Sequence, residues 1–393
     1  MKQHLIILGI LLPLIAGAPK PQEKASSVTT GSIVEKHGYP FEEHEVQTSD
    51  GYILGLHRIP YSSRVKSEGP RPAVFLMHGL LCSSSDWVLL GPDYALGYRL
   101  ADAGYDVWMG NARGNTYSKN HATLHPLLPS FWKFDWHEIG LYDLPAMIDY
   151  VLYETGQDQV HYFGHSQGTT SFLVLNSLNK KFKNRIKSAH LLAPVAFMDN
   201  MKSPLVKLAA PFMGDPKSWL NIFGNTQFMP NTKIMELLGQ SACNDEAKYQ
   251  SLCANAIFLM AGYDDENMNA TLLPEILATT PAGASTNQIF HYLQEYNSGK
   301  FREFDEGKLL KKPKNYPIEK IDVPIYLYYS ENDYMSSEVD VEKLMRKLKP
   351  STLRGAHKVP HPKWNHLDYL WGLNINELVH DYIMENLKEI NGE

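Results

Sequence analysis

One serine between two glycines, at the end of an apolar run, constrains the fold of this chain more than any other feature. The run Val160–Phe163 leads into residues 164–168, which read Gly-His-Ser-Gln-Gly, and a helix-like pattern follows at Thr169. Glycines on both sides of the serine permit a tight turn that lifts the hydroxyl out of a sheet. The dipole of the following helix favours developing negative charge. The segment predicts strand, turn and helix with Ser166 as a nucleophile; an ordinary glycine-rich turn is the alternative.

Short apolar runs recur along the chain and alternate with helix-like stretches. The runs are Ala73–Met77, Val107–Met109, Val160–Phe163, Ala189–Leu192 and Pro324–Tyr329, and the clearest helical stretches are Asp143–Leu152 and Thr169–Leu178. Apolar strands that alternate with helices predict the α/β class, with a mostly parallel sheet covered on both faces. This alternation of strands and helices stops at about Met198 and resumes at Pro324. We therefore interpret residues 198–322 as an insertion into one sheet domain.

The composition excludes several classes of protein. The chain has 393 residues, of which 44% are hydrophobic and 20% charged. This length corresponds to about two to three domains and excludes a small disulfide scaffold. Lys and Arg number 37 against 43 Asp and Glu, a net charge of −6. Because no long run of one charge occurs, we expect no nucleic-acid partner.

The N-terminus has the pattern of a secretory signal. Lys2 precedes the apolar run Leu5–Ile15, which ends in Ala-Gly-Ala. This run is about half of the roughly 20 residues that a membrane-spanning helix needs, so we expect no transmembrane anchor. We predict a signal peptide over residues 1–18, with an approximate cleavage site, and a flexible lead or short pro-segment over residues 19–36.

The cysteines and a glycosylation sequon fit the same route. Three cysteines in an oxidising compartment allow one disulfide and one spare thiol. Cys243 and Cys253, ten residues apart, are the predicted pair; three free thiols are the alternative. Asn269 begins the sequon Asn-Ala-Thr and is the predicted glycosylation site.

A nucleophilic serine needs an acid and a base later in the chain, in that order. Asp333 follows the run Pro324–Tyr329, where a loop can present it at the carboxyl edge of the sheet, and it is the predicted acid. Glu331 lies two residues nearer the strand and is the competing candidate.

The predicted base is His366, which lies in a loop before the terminal helical stretch. His357 and His361 are the other late candidates. They lie four residues apart, but Pro360 disrupts a helical metal-binding face between them, so we expect no zinc site.

The same chemistry needs N–H donors for an oxyanion. The run Ala73–Met77 continues into His78-Gly79-Leu80, which places main-chain N–H groups at the edge of the sheet, and Gln167 directly follows the serine. We predict the N–H groups of Leu80 and Gln167 as donors. The alternative for His78-Gly79 is an ordinary turn between strand and loop.

From about His37 to the C-terminus, the chain resembles the animal acid lipase family, which includes gastric and lysosomal acid lipases. The segments that carry the resemblance are HGYPFEEHEVQTSDGYILGLHRIP, HGLLCSSSDW, DVWMGNARGNTYS, FWKFDWHEIGLYDLPAMIDYV, GHSQGTT, SENDYM and WNHLDYLWG. The resemblance implies an α/β-hydrolase core over residues 37–197 and 323–393, with an inserted, mainly helical cap or lid over residues 198–322. It also supports the Cys243–Cys253 pair, and Cys82 would then be a packed free thiol.

The resemblance implies hydrolysis of triacylglycerols or sterol esters, at an oil–water or membrane interface, by Ser166, Asp333 and His366. The reaction would need no cofactor and no metal. Lysosomal members usually carry several sequons, so a single sequon favours secretion over the lysosome. A carboxylesterase for small soluble esters and a non-catalytic lipid-binding protein on the same fold are the alternatives.

The inserted stretch contains the apolar segments Leu205–Met213 and Trp219–Phe223. They are too apolar for a solvated loop. Either they pack down as core, or part of them lies over the site and opens on lipid.

Overall fold

The computed structural model describes residues 28–66, 69–213, 224–229, 259–268, 270–308, 310 and 312–392. The predicted signal peptide, the Cys243–Cys253 pair and Asn269 lie outside the described residues and stay predictions. The predicted flexible lead over residues 19–36 is wrong for its last part, because Thr30–Lys36 forms a capped helix that buries Ile33 and Val34. In the described part of the chain, no helix has both the length and the hydrophobicity to cross a membrane.

The described strands form a large mixed sheet and a small separate pair. The sheet strands are β1 (Glu42–Gln47), β2 (Tyr52–Ile59), β3 (Ala73–Met77), β4 (Asp106–Gly110), β5 (Asn120–His121), β6 (Val160–His165), β7 (Ile186–Leu192), β10 (Ile325–Tyr329) and β11 (Leu353–Lys358), and the separate pair is β8 (Gln227–Phe228) and β9 (Ala284–Ser285). Their order across the sheet is β1-β2-β4-β3-β6-β7-β10-β11, with β5 beside β2. The β1–β2 and β2–β4 pairs are antiparallel, and from β4 to β11 all neighbouring strands are parallel. The predicted α/β class with a mostly parallel sheet is confirmed.

Helices cover both faces of the sheet. The described α-helices of the core are α1 (Thr30–Lys36), α2 (Leu96–Asp102), α3 (Leu144–Thr155), α4 (Gln167–Leu178), α8 (Glu338–Lys347), α9 (Asp368–Trp371) and α10 (Asp381–Asn391), and those between β7 and β10 are α5 (Pro204–Met213), α6 (Leu273–Thr279) and α7 (Thr286–Ser298). Shorter turns of helix lie at Ser84–Trp87, Trp136–Glu138, Ile139–Asp143, Lys180–Asn184, Ala270–Leu272, Ile318–Lys320 and Asn376–His380.

The alternation of side chains along β3 explains why both faces need cover. Phe75 belongs to the buried cluster that includes Phe172 of α4, whereas its neighbour Leu76 belongs to the cluster that includes Leu100 of α2. Because successive strand residues point to opposite faces, an apolar run without polar gaps requires helices on both sides. For this reason, the central strands could be predicted from the sequence as continuous apolar runs.

Between β7 and β10 the chain leaves the sheet, in the region predicted as the cap. Within it, α5 packs against α7: Ala210 is fully buried in a cluster with Phe290, and Asn297 donates a hydrogen bond of 2.9 Å to the Ala210 carbonyl. Leu208 of the same helix is 48% exposed. The first apolar segment of the predicted lid therefore packs down along one side, and Trp219–Phe223 lies outside the described residues.

Candidate active site

Ser166 occupies the turn between β6 and α4. Its φ of 51° and ψ of −114° are unfavourable for a residue with a side chain, and such strain persists only where the surroundings enforce it. A Cβ at Gly168 would lie 2.3 Å from the Met77 oxygen, and one at Gly164 would lie 2.8 Å from the Gly168 carbonyl carbon. Only glycine therefore fits on either side of the serine. The turn holds the Ser166 hydroxyl at the carboxyl edge of the sheet.

The three residues predicted as a triad are joined by hydrogen bonds. The Ser166 hydroxyl donates to Nε2 of His366 over 2.8 Å. The His366 Nδ1–H faces both carboxylate oxygens of Asp333, at 2.9 and 2.8 Å. This tautomer follows from the partners, because a carboxylate can only accept. Ser166 is 9% exposed and His366 5%, so this arrangement is almost entirely shielded from water.

Asp333 is held in place by main-chain donors. Its side chain is fully buried in the loop after β10, and Oδ1 accepts the N–H groups of Met335 at 2.8 Å and Ser336 at 2.7 Å. Glu331, the competing candidate, points to the surface and forms a 3.5 Å ion pair with Lys358. The structure therefore brings Asp333, and not Glu331, to the histidine.

The two other late histidines have different partners. His357 donates to the carbonyl of Leu378 at 2.8 Å and stacks on Tyr382. His361 contacts the side-chain amide of Asn267 at 3.2 Å. Among the three late candidates, His366 is the one in contact with Ser166 in the described residues.

The loop after β3, which carries Leu80, lies against the serine turn. A Cβ at Gly79 would be 3.2 Å from the Ser166 Cβ. Leu81 has a φ of 63°, and its carbonyl accepts the N–H of Ala282 from the inserted region. Within the described residues, the N–H groups of Leu80 and Gln167 have no hydrogen-bond acceptor. Two N–H groups without an acceptor therefore lie in the two segments that adjoin Ser166.

Two buried histidines beside the serine turn and the loop after β3 have contacts that were not predicted from the sequence. His78 accepts the N–H of Ala112 at Nε2 (3.0 Å) and donates from Nδ1 to the Gly79 carbonyl (2.7 Å). His165 donates from Nε2 to the carbonyl of His366 over 2.8 Å. Burial lowers the pKa of His78 to about 4 and that of His165 to about 3, so both are neutral. The sequence signal was their position beside Gly79 and Ser166, which does not reveal their partners.

Cys82 is buried and has no disulfide partner among the described cysteines. Its thiol is hydrogen-bonded to the buried carboxyl of Asp86, and burial raises the pKa of the thiol well above its usual value. Asp86 also accepts the N–H of Ser83 at 3.0 Å and the hydroxyl of Thr280 at 3.2 Å. The loop after β3 is thus tied to the inserted region at a second point, and the thiol is a poor nucleophile.

A parallel sheet with a strained serine turn, and a hydrogen-bonded Ser-His-Asp chain at its carboxyl edge, defines the α/β-hydrolase class. Comparisons with known proteins agree. Residues 72–373 match the family model described as alpha/beta hydrolase fold, and residues 30–91 match the partial alpha/beta-hydrolase lipase region. A crystal structure of a membrane phospholipase A has a TM-score of 0.52 over 100% of both chains, at 12% identity, which supports the fold alone.

Two relatives narrow the class to a family. The chain is 48% identical to Lipase 3 of Drosophila melanogaster, over 99% of this chain and 98% of that protein. It is 38% identical to gastric triacylglycerol lipase of Homo sapiens, over 95% of this chain and 94% of that protein. The chain belongs to the animal acid lipase family of α/β-hydrolases, and it is a carboxylic ester hydrolase. The resemblance predicted from the sequence is confirmed.

Proposed function

We propose that the protein is a secreted lipase that hydrolyses lipid esters through an acyl-enzyme formed on Ser166. The observation that carries the proposal is the unbroken hydrogen-bond chain from the Ser166 hydroxyl through His366 to the buried Asp333. Ser166 acts as the nucleophile, His366 as the general base and Asp333 as the carboxylate that orients the base.

In the first half of the reaction, Ser166 Oγ attacks the ester carbonyl while Nε2 of His366 takes the hydroxyl proton. Asp333 fixes the imidazole tautomer and stabilises the imidazolium that forms. The N–H groups of Leu80 and Gln167 bind the oxyanion of the tetrahedral intermediate. Protonated His366 then gives its proton to the leaving alcohol, and the acyl group remains on Ser166.

In the second half, His366 takes a proton from a water molecule, which attacks the acyl-enzyme. The second tetrahedral intermediate uses the same two N–H donors. Its collapse releases the fatty acid and returns the proton to Ser166. All of the acid–base chemistry is supplied by side chains of this chain.

Two observations favour lipid esters over small soluble esters. A relative of nearly the same length bears the name gastric triacylglycerol lipase. The inserted region also contains an apolar helix, α5, whose Leu208 is 48% exposed. We infer that part of this region moves to admit substrate at a lipid surface, since Ser166 is too buried for direct access. Triacylglycerols are the favoured substrate, and sterol esters are the second candidate.

Secretion is the compartment that the N-terminal pattern supports. A short apolar run after Lys2 and a composition without a strong basic bias fit export of a protein that acts outside the cell. The lysosome is the second candidate. Expression of the full chain, with N-terminal sequencing of the exported protein, tests both the export and the cleavage predicted near residue 18.

The test of the activity compares hydrolysis of emulsified trioleoylglycerol, cholesteryl oleate and a soluble short-chain ester from pH 4 to 8. Ser166→Ala is the key variant, and it should lose at least about 10⁴-fold in kcat while remaining folded. Ser171→Ala is the matched control, because Ser171 is a buried serine of α4, the helix that follows Ser166, and its hydroxyl has no hydrogen-bond partner in the described residues.

Turnover of the emulsion that requires Ser166 and increases when the lipid interface forms supports a lipase. Turnover of the soluble ester alone would make the protein a carboxylesterase. A folded protein without any Ser166-dependent turnover would favour the lipid-binding alternative. Ser166→Ala protein that keeps most of the wild-type rate would overturn the triad.

A further inference from the structure

Within the inserted region, the chain passes against two loops of the core at Ala261–Asp264, which we call the return segment. Its first carbonyl, that of Ala261, accepts the N–H of His366 at 3.2 Å and the N–H of Tyr334 at 3.1 Å. Tyr334 follows Asp333 directly. One carbonyl group of the return segment therefore touches both the loop of the proposed base and the loop of its acid.

Gly262 brings the return segment into close contact with the same two loops. Its φ is 121°, and a Cβ at this position would lie 2.1 Å from the carbonyl oxygen of Asn332. Its carbonyl accepts a 3.1 Å hydrogen bond from the side-chain amide of Asn365. Asn332 and Asn365 each immediately precede a proposed triad member. The return segment therefore packs directly against the two loops that carry Asp333 and His366.

The loop of His366 is closed by its own side-chain hydrogen bonds. The N–H of Asn365 donates to Oδ2 of Asp368 over 2.6 Å, and Oδ1 of Asn365 accepts the N–H of Leu367 at 2.8 Å. His366 lies between these two side chains. Fixing the Asp368 carboxyl therefore fixes the main chain that carries the base.

Asp368 is fixed by a second carboxyl group. Its side chain is hydrogen-bonded to that of Asp264, the last residue of the return segment, and both are buried, at 3% and 0% exposure. Asp264 already accepts three N–H bonds, from Glu266, from Asn267 and from the Asn267 side chain, at 2.8, 2.9 and 2.7 Å. A hydrogen bond between two carboxyl groups needs one proton, and both oxygens of Asp264 already accept N–H groups. The proton therefore sits on Asp368, which donates to Asp264.

The surroundings favour this protonated state of Asp368. Burial, followed by the negative charge of Asp264, raises its pKa well above the usual value, and Asp333 adds to the shift. The remaining ionisable groups nearby are His366, His361 and Tyr369 in or near the loop, and the surface cluster of Lys363 with Asp265 and Glu266. Both of those carboxylates lie 2.7 Å from the lysine, so the lysine charge is already paired and does not neutralise the buried acids.

We propose that Asp368 is a positioning residue, whose carboxyl proton links the His366 loop to Asp264 of the return segment. This link keeps the imidazole of His366 within hydrogen-bonding distance of Ser166. Loss of that proton places two carboxylates against each other, and the loop separates from the return segment. Because the bond exists only in the protonated state, it is present at low pH and is lost as the pH rises through the raised pKa of Asp368. The inference rests on the proposed function, since it concerns the position of the proposed base.

Asp368→Asn tests the role of the proton. The amide nitrogen can donate to Asp264 at any pH, and the amide oxygen can still accept the N–H of Asn365. On a soluble short-chain ester, we expect kcat near the optimum to stay within about threefold of wild type. The alkaline limb of the kcat profile should move up by at least about one pH unit, a tenfold change in proton activity. Asp322→Asn, at an exposed ion pair with Lys183, is the control and should keep the wild-type profile.

Asp368→Ala removes the link at every pH. We expect kcat to fall about 10- to 100-fold with KM within about twofold, because a misplaced catalytic group lowers turnover more than binding. Asn at the same position should restore the rate. A wild-type alkaline limb in Asp368→Asn, or a wild-type kcat in folded Asp368→Ala, would overturn the proposal. If Asp368→Ala does not fold, the pH profile of Asp368→Asn decides alone.

Labelling of Ser166 by a fluorophosphonate separates the two proposals. Wild-type protein that is not labelled would mean that the proposed triad itself is wrong. Wild-type labelling that requires Ser166, together with an unchanged profile in Asp368→Asn, would reject only the role of Asp368. Near-ultraviolet circular dichroism at each pH ensures that the rates compare folded proteins.

Discussion

The imidazole of His78 donates a 2.7 Å hydrogen bond to the carbonyl oxygen of Gly79, the residue whose peptide group carries the N–H of Leu80. In a trans peptide the C=O and the N–H point in opposite directions. Anchoring the Gly79 carbonyl therefore aims the Leu80 N–H away from His78. The direction of the proposed oxyanion donor is therefore set in part by the His78 side chain, and the N–H of Cys82 donates to the same Gly79 carbonyl at 3.3 Å.

His78→Ala should accordingly lower kcat by about 10- to 100-fold and change KM little, which is less than the 10²–10³ typical when an oxyanion donor is lost. The control is His161→Ala, since His161 is another buried neutral histidine, bonded to Ser188 at 2.7 Å. The control should lose stability without a comparable fall in kcat. Steady-state kinetics on a soluble ester, with thermal unfolding of both variants, check this prediction.

Gly168→Ala should disrupt both the fold and the activity. Its Cβ would lie 2.3 Å from the carbonyl oxygen of Met77, the last residue of β3, so the strand and the serine turn must separate. Overpacking of this kind destabilises by about 1–3 kcal/mol or more. Gly156→Ala is the control, because it has a φ of 65° and no atom within 4 Å of its Cβ.

The control at Gly156 should lose about 1–2 kcal/mol through backbone strain and keep its kcat. Urea unfolding and ester hydrolysis measure the two effects separately. Equal kcat values for the two alanine variants would show that contact between Gly168 and β3 does not position the serine.

The buried ion pair of Arg113 and Asp143 should be costly to break from one side. Nε of Arg113 lies 2.7 Å from Asp143, and the two side chains are 1% and 0% exposed. Arg113→Met leaves a buried carboxylate without its partner and should destabilise by about 3–5 kcal/mol. Arg346→Met, at an exposed pair with Glu342, should lose at most about 1 kcal/mol.

The double variant Arg113→Met, Asp143→Leu makes the test specific to the unpaired charge. Because it removes both charges, it should recover part of the stability that the single variant loses. Urea unfolding of the three variants at one pH gives the comparison. A double variant as unstable as Arg113→Met alone would mean that packing of the arginine, and not the unpaired charge, accounts for the loss.

The strands that could be predicted from the sequence and those that could not differ in burial. Every position of β3 is buried, so the strand reads as a continuous apolar run. In β11 half-buried and exposed positions alternate, and the sequence Leu353–Lys358 contains a glycine and three basic side chains. Such an edge strand cannot be predicted from its own sequence, because its pairing with β10, and not its hydrophobicity, defines it.

The residues of the site also differ in how far the sequence predicts their geometry. The serine turn is local in sequence, so its residues predict their own geometry. The loop positions of Asp333 and His366 follow from the order of elements in a parallel sheet. The link between Asp264 and Asp368 joins the middle of the inserted region to the loop that carries His366, and nothing in either segment indicates the other. Tertiary contacts between distant segments are the part that sequence patterns leave open.

The half-buried side chain of Glu138 should make the folded protein more stable at acidic than at neutral pH. Burial, together with the charge of Asp135, raises the pKa of Glu138 to about 8. The unfolded chain releases this proton near the usual carboxyl pKa, whereas the folded protein keeps it to higher pH. Between the two values the folded state binds the extra proton, so stability is full below the usual pKa and declines as the pH rises, by about 1.4 kcal/mol per unit for one proton.

Glu138→Gln should flatten this decline, because a glutamine has no proton to lose and its oxygen can still accept the N–H of Asp135, now bonded to Glu138 at 2.8 Å. Glu342→Gln, on the surface, should leave the slope unchanged. The measurement is the free energy of unfolding in urea at pH 5 and at pH 7.5 for the three proteins. A wild-type difference between the two pH values that survives intact in Glu138→Gln would assign the pH dependence to other buried acids, of which Glu295, with its strongly raised pKa, is the first to test.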